Sequence, residues 1–238
     1  TDRGHKSARL RVADAATGEV RDVYEETVKT QYQSAPALAS ANWRYLPESG
    51  EFLWFSQKSD WGHLYLHDLA TGEPKRQVTH GEWNVAGIAR LDPESRTLWL
   101  SGVGREPGRD PYFVHYYKVG LDDGRVRLLT PEDANHAAHF SQDGRYFVDV
   151  HSTVDTAPVA VLRDSEGAQV AEIARADLSR LRAAGWVPPE RFTVKARDGR
   201  TDLYGLMFKP SRFDPSKKYP IITYIYPGPQ VGSVRSRS

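Results

Sequence analysis

The stretch Leu64-Tyr65-Leu66-His67-Asp68-Leu69-Ala70-Thr71-Gly72-Glu73-Pro74-Lys75-Arg76-Gln77-Val78 reads as two short strands joined by a tight turn. Ahead of the turn, Leu64 and Leu66 alternate with Tyr65 and His67, the period of two that belongs to a pleated strand. Thr71-Gly72-Glu73 makes the turn, because glycine reaches the positive φ that tight hairpins need. The unit recurs. Leu10 to Tyr24 turns at Thr17-Gly18-Glu19, Tyr112 to Leu129 turns at Asp123-Gly124-Arg125, and Val159 to Ile173 turns at Glu166-Gly167 as a weaker copy. The turn glycines fall 54, 52 and 43 residues apart.

A second kind of hairpin alternates with the first. Trp43 to Ser56 turns at Pro47-Glu48-Ser49-Gly50, Ile88 to Ser101 at Asp92-Pro93-Glu94-Ser95-Arg96, and His139 to His151 at Ser141-Gln142-Asp143-Gly144. Two hairpins per repeat make four strands, which is the arithmetic of a β-propeller blade. No helical period competes between residues 8 and 173. Phe52 and Trp54 alternate with Leu53 and Phe55, so both faces of that strand are apolar, as stacked sheets require. The expected organisation is a partial β-propeller of four-stranded antiparallel blades over residues 1–175. It consists of a last half-blade to about Glu26, then three blades ending near 87, 131 and 175.

Composition bounds the function. Lys and Arg number 32 against 31 Asp and Glu, so charge offers no argument for nucleic acid or an anionic membrane. Trp, Tyr and Phe number 6, 12 and 8, which suits packed sheets. With no cysteine there is no disulfide, thiolate metal site or cysteine nucleophile. No apolar run approaches the ~20 residues of a spanning helix. The chain opens on Thr1 and its one methionine is Met207, so it is expected to be processed or excised from a longer polypeptide, and the compartment stays open.

Residues 176–189 break the repeat. Asp177 to Gly185 is expected to form a short helix with Asp177 or Ser179 as cap and Gly185 as stop. Pro188-Pro189 then forces extended chain, so this stretch is read as a linker. Beyond it, Arg191 to Ala196 and Thr201 to Lys209 read as a hairpin around Asp198-Gly199. A loop from Pro210 to Lys218 leads to Ile221-Ile222-Thr223-Tyr224-Ile225-Tyr226, six β-branched or aromatic residues without a charge. That composition predicts a strand buried on both faces, ended by Pro227-Gly228-Pro229.

Phe213-Asp214-Pro215-Ser216-Lys217-Lys218-Tyr219-Pro220, the apolar run and Tyr226-Pro227-Gly228-Pro229 together resemble the start of the catalytic domain in the prolyl oligopeptidase clan of serine peptidases. The nearest branch is the dipeptidyl peptidase IV group, in which a β-propeller precedes an α/β-hydrolase domain. The resemblance covers essentially the whole chain and is most specific from Trp61 to Trp83 and from Thr193 to Pro229. Trp83 falls where that family has a Gly-x-Trp segment. The resemblance implies that residues 190–238 begin an α/β-hydrolase domain. It also implies that the parent releases N-terminal dipeptides with Pro or Ala in the penultimate position, and that the propeller gates and lines the active-site chamber. Implied partners are a peptide substrate and the remainder of the catalytic domain, with a homodimer because relatives often dimerise. No cofactor is implied.

The resemblance gives Tyr226 the role of hydroxyl donor to the oxyanion of the tetrahedral intermediate, where developing charge needs a preorganised donor. Pro227 stands where the family more often has Gly or Ala. The Ser nucleophile, acid and base are expected outside these residues, because no Gly-x-Ser-x-Gly pentapeptide occurs and the family's triad follows the Tyr segment. The chain alone is therefore expected to be inactive. Glu25-Glu26 suggests the Glu pair that holds a substrate ammonium, but its context differs from the family's, and solvated loop carboxylates are the expected reading. His63 with His67, and His136 with His139, have ligand-like spacing. On a strand the first pair lies roughly 13 Å apart, so no metal is expected. Gly102-Val103-Gly104-Arg105-Glu106-Pro107-Gly108-Arg109-Asp110 reads as an inter-strand loop that could reach a substrate chamber, and Trp61 as a packing residue. The alternative is a non-catalytic β-propeller that binds proteins or peptides. It explains residues 1–175 equally well, but not the apolar run before Pro227.

Overall fold

A computed structural model describes residues 1–34, 42–225 and 238. Its architecture is mainly β. Strands β1 (Ser7–Ala13) and β2 (Val20–Thr27) form an antiparallel hairpin. A four-stranded antiparallel sheet follows, built from β3 (Arg44–Leu46), β4 (Glu51–Ser56), β5 (His63–Asp68) and β6 (Pro74–Gln77) in chain order. The second sheet holds β7 (Asn84–Asp92), β8 (Thr97–Val103), β9 (Val114–Gly120) and β10 (Val126–Leu128). The third holds β11 (Asn135–Phe140), β12 (Tyr146–Ser152), β13 (Val159–Asp164) and β14 (Gln169–Arg175). In each, neighbours in sequence are neighbours in space, so the connections are local hairpins. Such meanders are consistent with blades of a β-propeller.

The turns show why the sequence repeats. In Asp14-Ala15-Ala16-Thr17-Gly18, the Asp14 carboxylate accepts from the backbone N–H groups of Ala16 and Thr17 at 2.8 and 2.9 Å. Asp68-Leu69-Ala70-Thr71-Gly72 repeats this, with Asp68 accepting from Ala70 and Thr71 at 2.9 Å each. Such Asx turns fix the chain reversal locally. Gly72 sits at φ 78°, and a Cβ there would lie 2.0 Å from the Val23 carbonyl oxygen. Glycine at this turn therefore serves both the backbone angle and the approach of the β1–β2 hairpin.

Two compact units are formed by residues 1–105 with 117–127, and by residues 106–116 with 128–238. The first is centred on β4 and β5. Phe52, Leu53, Trp54, Phe55, Leu64 and Leu66 are all buried, and each such side chain contributes roughly 1.5–3 kcal/mol on leaving water. Ala8, Tyr32, Phe52 and Trp54 form one cluster, joined by Leu10, Val23, Tyr24, Val28 and Leu69. The second unit is centred on β11–β13 and carries the chain onward through α1 (Ser179–Ala183) to a hairpin of β15 (Glu190–Lys195) and β16 (Asp202–Met207).

The short helix occupies the middle of the expected 177–185 stretch. The N-cap position is Leu178 without a side-chain capping bond, not Asp177 or Ser179; Asp177 accepts from the Ser179 backbone N–H at 2.8 Å just ahead of the helix, and Gly185 at φ 88° ends the turn. The expectation of a buried strand at 221–226 is not met over its described part. Residues 221–225 have no strand partner among the described residues, and Ile221 and Ile222 are 90% and 94% exposed. A strand buried on both faces needs flanking ladders and covering helices. The described residues supply neither, so the apolar composition alone does not order it.

Candidate functional site

Tyr226 lies outside the described residues, and the chain leading to it is the exposed 221–225 segment. The two glutamates expected as solvated carboxylates turn out differently from each other. Successive residues of a strand face opposite sides. Glu25 accepts from Ser7 Oγ at 2.6 Å and pairs with Arg9 Nε at 2.9 Å on the outer side of the hairpin. Glu26 is buried, accepting from Trp54 Nε1 at 2.7 Å and Ser56 Oγ at 2.6 Å. The two cannot clamp one ammonium group, and only Glu25 matches the expected exposure.

The histidine pairs are also kept apart. His63 Nδ1 meets Thr79 Oγ1 at 3.0 Å and its Nε2 meets the Gly81 carbonyl at 2.9 Å. His67 Nδ1 meets the Gly72 carbonyl at 2.9 Å and its ring stacks on Phe52. Burial pushes both imidazoles below the usual histidine range. His136 is buried and His139 exposed, because an odd spacing on β11 puts them on opposite faces. In the 102–110 loop, Arg105 lies over the rings of Tyr117 and Trp83 at 5.3 and 5.9 Å. Arg109 donates to the carbonyls of Pro131 and Glu132 at 2.7 and 3.1 Å. Both arginines thus have packing roles. Trp83 is buried and donates from Nε1 to the His80 carbonyl at 2.6 Å, while Trp61 is half-buried.

A different constellation occupies the centre of the third sheet. On β12 the inward residues are Phe147, Asp149 and His151, on β11 His136, and on β13 Val159, Val161 and Arg163. The register sets His136 directly opposite His151. Asp149 is fully buried, with Oδ1 2.9 Å from His136 Nδ1 and Oδ2 accepting from Arg163 Nε at 2.9 Å. Arg163 Nη2 reaches both Glu132 oxygens at 2.7 Å, and Arg163 Nη1 donates to the Gly167 carbonyl at 3.1 Å. His136 Nε2 lies 3.1 Å from the Glu132 carbonyl oxygen. The rings of His115, His136 and His151 are in sequential contact, at 5.1 and 5.3 Å between centroids.

The electrostatics follow from this geometry. Burial pushes the Asp149 carboxyl up, but hydrogen bonds and charge from His136 and Arg163 outweigh it and hold it below the usual carboxylate range. Glu132 behaves likewise through Arg163. Burial, followed by the neighbouring His136, pushes His115 down to about 4. One ligand-type atom from each of Glu132, His136, Asp149 and His151 lies within 4.8 Å of the others. The cation between the two carboxylates, however, is the Arg163 guanidinium, and both His136 nitrogens already face oxygen atoms. The cluster is a side-chain ion network, closed by charge-assisted hydrogen bonds. Testing histidines along one strand misses it. The visible signal was a His, an Asp and an Arg at core-facing positions of three successive strands.

Residues 1–158 match the family model described as the dipeptidyl peptidase IV (DPP IV) N-terminal region. The chain belongs to this family. Its sequence is 30% identical over 172 residues to human dipeptidyl peptidase 8, covering 67% of this chain and 19% of that protein. It is 26% identical over 191 residues to dipeptidyl peptidase 4 of Trichophyton rubrum, covering 73% of this chain and 22% of the relative. The chain thus spans about a fifth of the length of these curated relatives. A Bacteroides ovatus structure assigned as a dipeptidyl aminopeptidase IV superposes with a TM-score of 0.79 at 25% identity, over 99% of this chain and 35% of that one. Porphyromonas gingivalis dipeptidyl peptidase 4 shares the fold at a TM-score of 0.69 and 22% identity, over 92% of this chain and 30% of that one. The DPP IV branch expected from the sequence is therefore the right one, and this chain carries its N-terminal propeller region. No helix among the described residues is long and apolar enough to cross a membrane.

Proposed function

We propose that this chain is part of a serine exopeptidase of the prolyl oligopeptidase clan that releases N-terminal dipeptides, with Pro or Ala in the penultimate position. The observation that carries the reading is the DPP IV match over residues 1–158, on a chain whose relatives are dipeptidyl peptidases. In this reading residues 1–175 are propeller, 176–189 a linker and 190–238 the opening of an α/β-hydrolase domain. The propeller gates the chamber and lines one wall of it. The nucleophile, acid and base lie in the parent polypeptide beyond these residues, since no Gly-x-Ser-x-Gly occurs here. Tyr226 donates its hydroxyl to the oxyanion as the serine oxygen adds to the scissile carbonyl, beside a backbone N–H of the nucleophile turn.

The test is Tyr226→Phe in the parent polypeptide, assayed on Gly-Pro and Ala-Pro chromogenic amides. Loss of an oxyanion donor lowers kcat by about 10²–10³ with little change in KM. An unchanged kcat would remove Tyr226 from the mechanism, and absence of activity in the unaltered parent would remove the peptidase reading itself.

A further inference from the structure

We propose that Glu132, His136, Asp149 and Arg163 form a latch that fastens the segment 129–134 onto the β11–β14 sheet, and that His151 releases it on acidification. This proposal does not depend on the peptidase reading.

The latch holds its segment at several points. The Glu132 side chain is taken by Arg163 from β13, its carbonyl oxygen accepts from Arg109, and His136 Nε2 of β11 lies 3.1 Å from that oxygen. Leu129 packs so closely on the turn at Gly167 that a Cβ there would stand 2.6 Å from the Leu129 carbonyl oxygen. Through the Gly167 carbonyl, Arg163 ties that turn to the same network. One guanidinium thus joins a strand, a turn and the connecting segment.

His151 is placed to disturb it. Its Nδ1 is buried without a hydrogen-bond partner, 3.6 Å from the Asp149 oxygen that accepts from Arg163. Its side chain is 15% exposed, so protons reach it from solvent, whereas His136 and Asp149 are sealed. A neutral His151 leaves Asp149 to Arg163 and His136. A protonated His151 is a second strong donor for the same oxygen and a new positive charge beside Arg163. Asp149 and Glu132 attract that charge, while His136 and Arg163 repel it. The other groups facing the network are Glu172 on β14, which also feels His151, and Tyr116 and His115 on β9, with Glu106 and Arg109 beside His115. Burial holds His151 below the usual histidine range in the closed arrangement. The released arrangement therefore binds the proton more readily, and acid favours release below the ordinary histidine value of about 6.5.

The experiment is hydrogen exchange of the backbone amides in 129–134, measured on the 238-residue chain at about pH 7.5 and about pH 5 and corrected for intrinsic exchange. Protection in the unaltered chain is expected to fall on acidification, because the released arrangement binds the His151 proton more tightly than the closed one. His151→Gln, which cannot titrate, is expected to keep its protection at the lower pH. Arg163→Lys, which keeps the charge but loses the fork, is expected to be poorly protected at both pH values. Equal acid losses in the unaltered chain and His151→Gln would overturn the proposal, as would full protection of the segment in Arg163→Lys. Protection raised by added zinc at the higher pH would also overturn it, by showing an ion site in place of a proton-released latch.

Discussion

The β3–β6 and β11–β14 sheets follow the same meander but bury different chemistry. At the centre of the first lie Phe52, Leu53, Trp54, Phe55, Leu64 and Leu66. At the centre of the second, Phe147, Val159 and Val161 surround Asp149, His136 and Arg163. The apolar part of such a centre is held by non-directional burial, so it scales with area and is nearly indifferent to pH, and in the first sheet the buried His63 and His67 add a titrating contribution. An ionic centre draws little net stability from its charges, because desolvation offsets attraction. It does demand one geometry, and it fails sharply when one partner is lost. The same strand order can therefore give a robust sheet or a conditional one, depending on what the inward positions carry.

That contrast can be broken at several strengths. The largest effect is expected from Arg163→Met, which leaves Asp149 buried without its guanidinium and costs about 3–5 kcal/mol in denaturant unfolding. Adding Asp149→Leu to it should recover part of that loss, since the stranded charge is then gone; a double variant weaker than the single would show that the network is not an ion pair in energetic terms. Next comes Leu66→Ala in the apolar sheet, expected to cost about 2–4 kcal/mol, equally at about pH 5 and pH 8. A cost that changes with pH would blur the distinction between the sheets.

A further pH dependence follows from His115 on β9 of the second sheet, whose ring meets His136 of the third. Its folded value of about 4 lies below its unfolded value of about 6.5, so between these limits the unfolded chain binds more protons. Stability contributed by neutral His115 is present above about pH 6.5 and is lost as pH falls towards 4, by about 3 kcal/mol in all. His115→Gln should flatten this limb of the unfolding curve. The smallest effect is expected from Glu26→Gln. An amide oxygen still accepts from one of Trp54 and Ser56 but loses the charge assistance of the carboxylate, costing about 1 kcal/mol by thermal unfolding.

Much of the fold was legible in the sequence because its signals are local. Asp14, Thr17 and Gly18, and again Asp68, Thr71 and Gly72, encode their turns within five residues, and alternation on β4 and β5 encodes their faces. The ionic network was less legible because it is assembled across strands. His136, Asp149 and Arg163 are 13 and 14 residues apart and meet only once the register is set. Glu26 departs from the expected solvated carboxylate because exposure depends on which neighbour, here Trp54, arrives 28 residues later. The run at 221–225 has the composition of a buried strand, but composition does not supply the ladders that would bury it.

The measurement that bears most directly on the peptidase reading is hydrolysis of Gly-Pro and Ala-Pro chromogenic amides by the purified 238-residue chain, beside the parent polypeptide at equal molarity. The predicted result is turnover by the parent, abolished by a serine-directed fluorophosphonate, and none above buffer by the chain. Turnover by the chain itself, or a parent that folds and hydrolyses neither amide, would contradict it.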